Sequence, residues 1–500
     1  MVRFMGSMSF LLPSSLPPAA DTLLQQACFA AGYDHTPSPT KISIQNNILH
    51  VSRELDESGY LFLPWPVGPV GAMVTTTSTL RERPEPYNLM LELARGKLNQ
   101  LRNQAGEWRE VGLQTPADLD RDLKEVHALF AKAALNQPSA EADAAAATVL
   151  DRSYQAADRL VRMYIEQMFA TRLDDEGKLP TRFSARCLSA PTEALASDYR
   201  RAFNGARIGC RWRDIEPTEA SYNWNTLDSA IESARVAGLP ITIGPIIDLA
   251  PGMLPDWSVG YEGDLQTLAA FMCDFLETVV SRYRDRVRRW VVCAGFNHAD
   301  GVGLSDDERL RLMQRLFEAA LQLDGQLDLV VSVAQPWGDY LTHQDQTISP
   351  LSFADDLIRT GLKISGVELE IRSGTTPRGS WPRDLLDTSR LLDMFSLLGL
   401  PLEIVLSQPS SSAPDFGARD HREDLWAPAW RGGPTPEGQA EWGVSFAALA
   451  LCKPEVHAVT WDHWSDADPH LTPSGGLVTT AGMVNPLLAR FEGLRTKYLE

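Results

Sequence analysis

The sequence predicts an α/β protein: a (β/α)8 TIM barrel preceded by a smaller α+β N-terminal module. Three observations carry that expectation. The chain has 500 residues, more than the roughly 100–200 of one ordinary domain, so it needs two folded units or one large barrel with an extension. From about Phe183 onward, short apolar strands alternate with amphipathic helices, the pattern of βα units around a parallel sheet. Ahead of that point short strands come first and helices follow. We place the module at 1–175 and the barrel at 176–500.

In the module, KISIQ, ILHVS, YLFLPWPV and AMVTTTSTL between Lys41 and Thr79 alternate apolar and β-branched residues between turn formers, which predicts a small antiparallel sheet. The stretch ADTLLQQACFAAG reads as an amphipathic helix. A helix is also expected over RERPEPYNLMLELARGKLNQLRNQAGEW, with Leu89, Leu91, Leu93, Leu98 and Leu101 on one face. Two more are expected over 116–136 and 139–169, the second opening on SAEADAAAA with acids in its first turn.

The barrel is expected to take its eight strands from FSARCLS, ARIGCRW, PITIGPII, RRWVVCAG, LDLVVSVAQ, ISGVELEI, PLEIVLSQ and HAVTWDHW. Helices such as WNTLDSAIESARVAG, LQTLAAFMCDFLETVVSRY, SDDERLRLMQRLFEAALQL and RDLLDTSRLLDMFSLLG run between them, and Ser305 is the expected cap of the third. A doubly wound open sheet is the competing architecture, but no Gly-rich phosphate loop follows the first strand. In a barrel the chemistry belongs just past the strand C-termini.

Composition narrows the function. At 44% hydrophobic and 22% charged the chain is neither a coiled coil, nor collagen-like, nor disordered throughout. Its 46 basic and 65 acidic residues leave a net charge of −19, which argues against nucleic-acid or membrane-surface partners, and no stretch reaches the ~20 apolar residues of a membrane helix. The six cysteines show no zinc spacing and no disulfide framework; Cys187, Cys210 and Cys293 read as buried thiols. No metal and no cofactor are expected. The first twenty residues have only weak features of a signal peptide, so the cytoplasm is the expected compartment, with secretion or the periplasm as the alternative.

The segment RWRDIEPTEASYNWNTLDSAIESARVAGLPITIGPIIDLAPGMLPDW resembles the retaining barrel glycoside hydrolases, most closely family 10, the β-1,4-xylanases. Arg211, Trp212, Glu216, Pro217, Tyr222, Trp224, Asp228, Gly238 and the run Pro255, Asp256, Trp257 fall at the family's places. The closing segment KPEVHAVTWDHWSDADPH is similar to the family's last strand, with Trp461 as the sugar-stacking tryptophan and Asp466 at the family's Asp. The resemblance spans about Phe183 to Leu499 and implies a carbohydrate ligand, a xylan-like β-linked polysaccharide or its oligomers.

The catalytic positions depart from the family. Retaining glycosidases use two carboxyls about 5 Å apart. The resemblance puts the acid/base at Gly295 and the nucleophile at Leu406, neither of which can do either job. The family's substrate-site Lys is replaced by Arg211. Relocated acids are the remaining route to hydrolysis. Strands three and six lie roughly opposite in a barrel of eight, so Asp248 and Glu370 would face each other across the mouth, a geometry suited to an inverting mechanism. Because an acid in an apolar strand needs a partner, Arg211 or Arg372 is the expected companion of Glu370. Glu403 would face the helices if Leu406 faces the lumen, since strand side chains alternate.

Other polar groups at expected strand ends are Glu193, Asn297, His298, Asp300, Asp462 and His463. Sugar contacts are expected from Arg211, Trp212, Trp257, Asn297, Trp337, Trp461 and Asp466, with Trp430 and Trp464 nearby, because flat rings beside polar groups are what a sugar face stacks on. The competing reading is a non-catalytic scaffold or interaction protein whose barrel mouth is filled.

Overall fold

The computed structural model describes residues 6–18, 20–32, 34–54, 57–261, 264–298, 302–342, 348–373, 379–419, 430–431 and 433–500. Two four-stranded sheets open the chain. In the first, Ser7–Leu11 lies between Ile48–Ser52 and Tyr87–Asn88, with Lys41–Gln45 at the edge. In the second, Thr36–Ser38, Cys28–Ala31, Tyr60–Val67 and Gly71–Thr76 pair in that order. The four strands expected between Lys41 and Thr79 are present, but divided two and two between these sheets rather than joined in one.

The helix expected over ADTLLQQACFAAG is present only at Ala20–Leu24, and its second half is the strand Cys28–Ala31. Pairing of Cys28 with Phe62 and Phe29 with Leu61, with Phe29 wholly buried, overrides the helix propensity of the alanines. Ser7–Leu11 is a central strand whose Phe10 is also fully buried, so these residues belong to the fold.

Three helices follow: α1 (Leu89–Glu110), α2 (Ala117–Leu135) and α3 (Ala140–Glu176). The first starts at Leu89, with its leucine face, eight residues later than the expected segment that opens at Arg81. Pro84 and Pro86 hold their predecessors out of the helical region, and the Asn88 side chain then caps the helix by accepting from Leu91 N.

The barrel strands are β1 (Arg182–Cys187), β2 (Ala206–Ile208), β3 (Ile241–Ile243, resuming at Ile247–Asp248), β4 (Arg289–Ala294), β5 (Asp328–Ala334), β6 (Gly366–Arg372), β7 (Leu402–Ser407) and β8 (Val456–Trp461). All are parallel, and β8 pairs back to β1 through Trp461 opposite Ala185, which closes the sheet. Each of the eight expected strands is present. The break in β3 falls at Gly244, where a side chain would overlap Val291 O. The helices Asn225–Val236, Leu265–Tyr283, Asp306–Leu323 and Leu385–Ser396 lie where expected, and Ser305 caps the third in a reciprocal box with Glu308.

Strand parity decides which residues face the lumen. Phe183 packs on Phe203 and Phe491, and Trp461 packs on Trp442 and Phe491, so these positions face the surrounding helices. Leu406 is in register with Trp461 and with Ile371, so it faces outward too. Alternation then turns Arg182, Ser184 and Arg186 of β1, Glu368, Glu370 and Arg372 of β6, Glu403, Val405 and Ser407 of β7, and Thr460 of β8 inward. Ser184 Oγ lies 3.1 Å from Thr460 Oγ1 on that inner side.

The module docks on the β6 side of the barrel. Val74 N donates to Pro382 O at 2.9 Å, and Lys97 Nζ of α1 lies 2.7 Å from Asp384 Oδ2 at the start of Leu385–Ser396. A cavity of about 380 Å³ remains between the two, bordered by His35, Trp337, Trp381 and Arg383.

Candidate functional site

The lumen is filled with ion pairs where many barrels stack branched apolar residues. Toward the strand N-termini, Glu403 pairs with Arg289, and its other oxygen lies 3.9 Å from Arg207. One layer up, Arg207 donates to Glu368 Oε1 at 3.1 Å and its Nη1 lies 2.9 Å from Glu368 Oε2. Toward the mouth, Asp462 is held between Arg186 Nη1 and Arg372 Nε, each at 2.9 Å, and Arg372 also binds Glu370. Ser332 Oγ donates to the other Glu370 oxygen at 3.0 Å. Burial opposes the charged form of Asp462, but Arg372 and Arg186 more than offset it and hold this carboxyl far below its ordinary value. Arg372, rather than Arg211, is thus the partner of Glu370.

Glu403 faces the lumen and Leu406 the helices, the reverse of the expected parity. The strand parity around Leu406 explains this, because the inward residue at the end of β7 is Ser407, whose Oγ donates to Thr472 Oγ1 at 2.7 Å. At the other consensus position, Gly295 has φ +73°, and a Cβ there would meet Ala250 N at 3.1 Å and Asp248 Oδ1 at 3.3 Å. The turn after β3 stands where a catalytic side chain would project.

Asp248 and Glu370 do border one space, together with Gly295, His298, Ala334 and Arg372. Its volume is about 30 Å³, room for water but not for a sugar ring. Burial and then the Glu370 charge push the Asp248 carboxyl up, partly offset by the Ala250 N–H that it accepts at 2.8 Å and by Arg372 and Arg419. Asp248 is thus held above the ordinary carboxylate value beside an arginine-paired Glu370.

Most expected sugar contacts do structural work. Trp212 is buried, stacks on Phe275 with centroids 5.1 Å apart and donates to Glu216 Oε2 at 2.7 Å. Glu216 also accepts from Ala220 N, so it orders its own turn. Trp257 is half-buried, edge-on to Phe271, and donates to Glu216 O. Asn297 is wholly buried and braces β5 by exchanging two hydrogen bonds with the Ala334 backbone. Trp461 donates to Gly475 O from within the helix layer, so it is not a stacking platform at the mouth. Trp430 and Trp464 are buried as well. Asp466 accepts from Gly476 N at 2.8 Å and lies 2.9 Å from His463 Nε2. Trp337 lines the cavity between module and barrel, under the Arg383 guanidinium. Glu193 is exposed, and Asp300 lies outside the described residues.

Of the expected contacts, Arg211 and, with its ring buried, Trp464 border the pocket at the strand C-terminal ends among the described residues. That pocket has a volume of about 170 Å³ and lies over β1, β2 and β8, with Arg186, Arg211, Arg213, Arg419, Asp462 and His463 around it. Arg186 escaped the sequence reading, yet a cation inside the otherwise apolar FSARCLS was the available signal. Arg213, in the short helix Trp212–Ile215, and Arg419, in a loop, converge only through the fold. His463, Asp466 and His470 also bring nitrogen and oxygen atoms within 4.8 Å of one another, a set of metal-ligand type that the sequence spacing did not signal.

No known family profile matches the chain. In sequence it is similar to endo-1,4-beta-xylanase A of Fusarium oxysporum f. sp. lycopersici, 25% identical over 181 residues, which cover 34% of this chain and 53% of that enzyme. The match thus spans about half the length of the curated relative. Among solved structures it is similar to native xylanase 10B of Thermotoga maritima, with a TM-score of 0.45 and 15% identity over 67% of this chain and 97% of that one. Xylanase 10B of Thermotoga petrophila RKU-1, solved in complex with xylobiose, gives 0.46 and 15% over 66% and 96%. A GH10 endoxylanase from a sugarcane soil metagenome gives 0.47 and 14% over 66% and 99%. The closed eight-stranded parallel barrel and the xylanase sequence match fit the family 10 glycosidase fold that the IEP and YNW segments resemble.

Proposed function

We propose that this protein is a glycosidase-like barrel that binds a β-linked carbohydrate, xylan-like in type, at its strand C-terminal face and does not hydrolyse it by the retaining mechanism. The observation that carries the reading is the contrast between the two spaces at the mouth. The central one is reduced to about 30 Å³ between Asp248 and Glu370, while the flanking one keeps about 170 Å³ beside Arg211. Pockets for drug-sized ligands run to about 300–1,000 Å³, so the flanking space suits a single sugar residue rather than a threaded chain. The sequence similarity to a xylanase supports carbohydrate as the ligand class. All six thiols are unpaired, which supports a reducing compartment.

Calorimetry with xylo-, manno- and cello-oligosaccharides tests the binding. A saturable heat for one series, weakened in Arg211→Gln, is the expected outcome. A second reading, a non-catalytic interaction protein, is favoured by the ion pairs that fill the lumen and by tryptophans that are buried rather than presented at the mouth. Absence of binding across all three series would move the assignment there.

A further inference from the structure

We infer that the flanking pocket takes an anionic sugar, its oxyanion lying against Arg186 and Arg211; the inference rests on the carbohydrate reading and specifies its substrate class. The argument is an excess of donors. The acids at the pocket are already engaged: Asp462 lies between Arg186 and Arg372, and Asp468 accepts from Ser189 N at 3.2 Å and from Ser189 Oγ at 2.8 Å. The donors are not. Arg186 spends Nη1 on Asp462, while its buried Nε and Nη2 have no hydrogen-bond partner among the described residues. That Nε/Nη2 edge is the one with which guanidinium grips a carboxylate or phosphate through two parallel bonds.

Arg211 repeats the imbalance. Its Nη1 lies 2.9 Å from Asp214 Oδ2, but Asp214 is half in water while Arg211 is only 16% exposed. Burial lowers the Arg211 pKa, and neighbouring Arg213 lowers it further against the pull of Asp214 and Asp248, the condition of a cation short of counter-charge. Arg213 holds the rim through Gly252 O and Asp256. This cationic cluster stands in a chain whose net charge is −19, so it is no extension of a generally basic surface. A neutral sugar hydroxyl can accept from that edge but brings no counter-charge, whereas an oxyanion supplies the acceptors and the charge together. A uronate carboxylate and a sugar phosphate share that chemistry.

The test is titration calorimetry of the full chain with xylobiose, glucuronate, glucose 6-phosphate and inorganic phosphate at low and high salt. The expected result is binding of glucuronate or glucose 6-phosphate at least about tenfold tighter than xylobiose, falling with salt, and the stronger of the two identifies the source of the oxyanion. Arg211→Gln should abolish the preference and Arg211→Lys should restore part of it. Thermal melting checks folding, and Arg213→Gln at the exposed rim is the substitute variant should Arg211→Gln unfold. Xylobiose binding as tightly as both anionic sugars would overturn the inference and leave carbohydrate binding standing. Inorganic phosphate binding as tightly as the sugar anions would overturn the sugar part. No binding by any sugar would overturn both readings.

Discussion

At single positions, the loss of the retaining pair is built into the backbone as well as the side chains. Gly295 has a left-handed φ and abuts Asp248, and Leu406 faces the helices, so restoring glutamates by substitution should fail. Gly295→Glu together with Leu406→Glu is expected to yield no reducing-sugar release and a lower melting temperature, because one change strains the turn and the other buries an unpaired carboxylate. Arg372 offers a stability test. It is the shared counter-ion of Glu370 and Asp462, and Arg372→Leu leaves two buried acids without it. Breaking a buried pair in this way costs about 3–5 kcal/mol, which denaturant unfolding resolves, although replacing a whole such network by apolar residues is often neutral.

Asp248 has the opposite sign. Its folded pKa lies above the ordinary 3.8, so the folded protein binds that proton more tightly than the unfolded chain. Folding is therefore penalised once pH exceeds the unfolded value, and the penalty levels off above the raised folded value. Asp248→Asn removes it: the variant should gain stability on wild type as pH rises from about 4 toward neutrality, with the gain vanishing below that range. A stability-against-pH series reads the difference directly.

Among the elements, the βα repeat was fully legible, because eight apolar strands and the helices between them carry distinct periods. The expectation failed where local pattern met a tertiary partner. Cys28–Ala31 is helix-forming in composition but pairs in a sheet, and α1 waits for Asn88 because Pro84 and Pro86 bar an earlier start. The junction of α1 with the barrel was illegible, since nothing near Lys97 in sequence announces Asp384 and Asp387 nearly three hundred residues away. Lys97 is almost wholly buried against both acids, so Lys97→Met should cost about 3–5 kcal/mol, whereas Ser305→Ala at a helix cap should cost only ~1 kcal/mol. Equal losses for the two variants would mean that the module is not latched through Lys97.

Over the whole molecule, the candidate site was legible in its residue types and illegible in its directions. Asp248 and Glu370 do converge, as strands on opposite sides of a barrel require. The tryptophans do not: Trp212, Trp257 and Trp461 bind loops and helices together, since alternation and loop packing, unknown from the sequence alone, turn their rings away from the mouth. The arginine pocket lay hidden because its members come from four separate βα units. The resulting molecule keeps a glycosidase-like frame, closes its centre with ion pairs and leaves one cationic pocket beside it.

The measurement that meets this account most directly is reducing-sugar release from xylans, mannans and β-glucans by the wild-type protein, with Glu370→Gln run alongside. The account predicts no release above the blank for either protein. Release by wild type that is abolished in Glu370→Gln would contradict it, and would show that Glu370 and the acids beside it form a working hydrolytic centre.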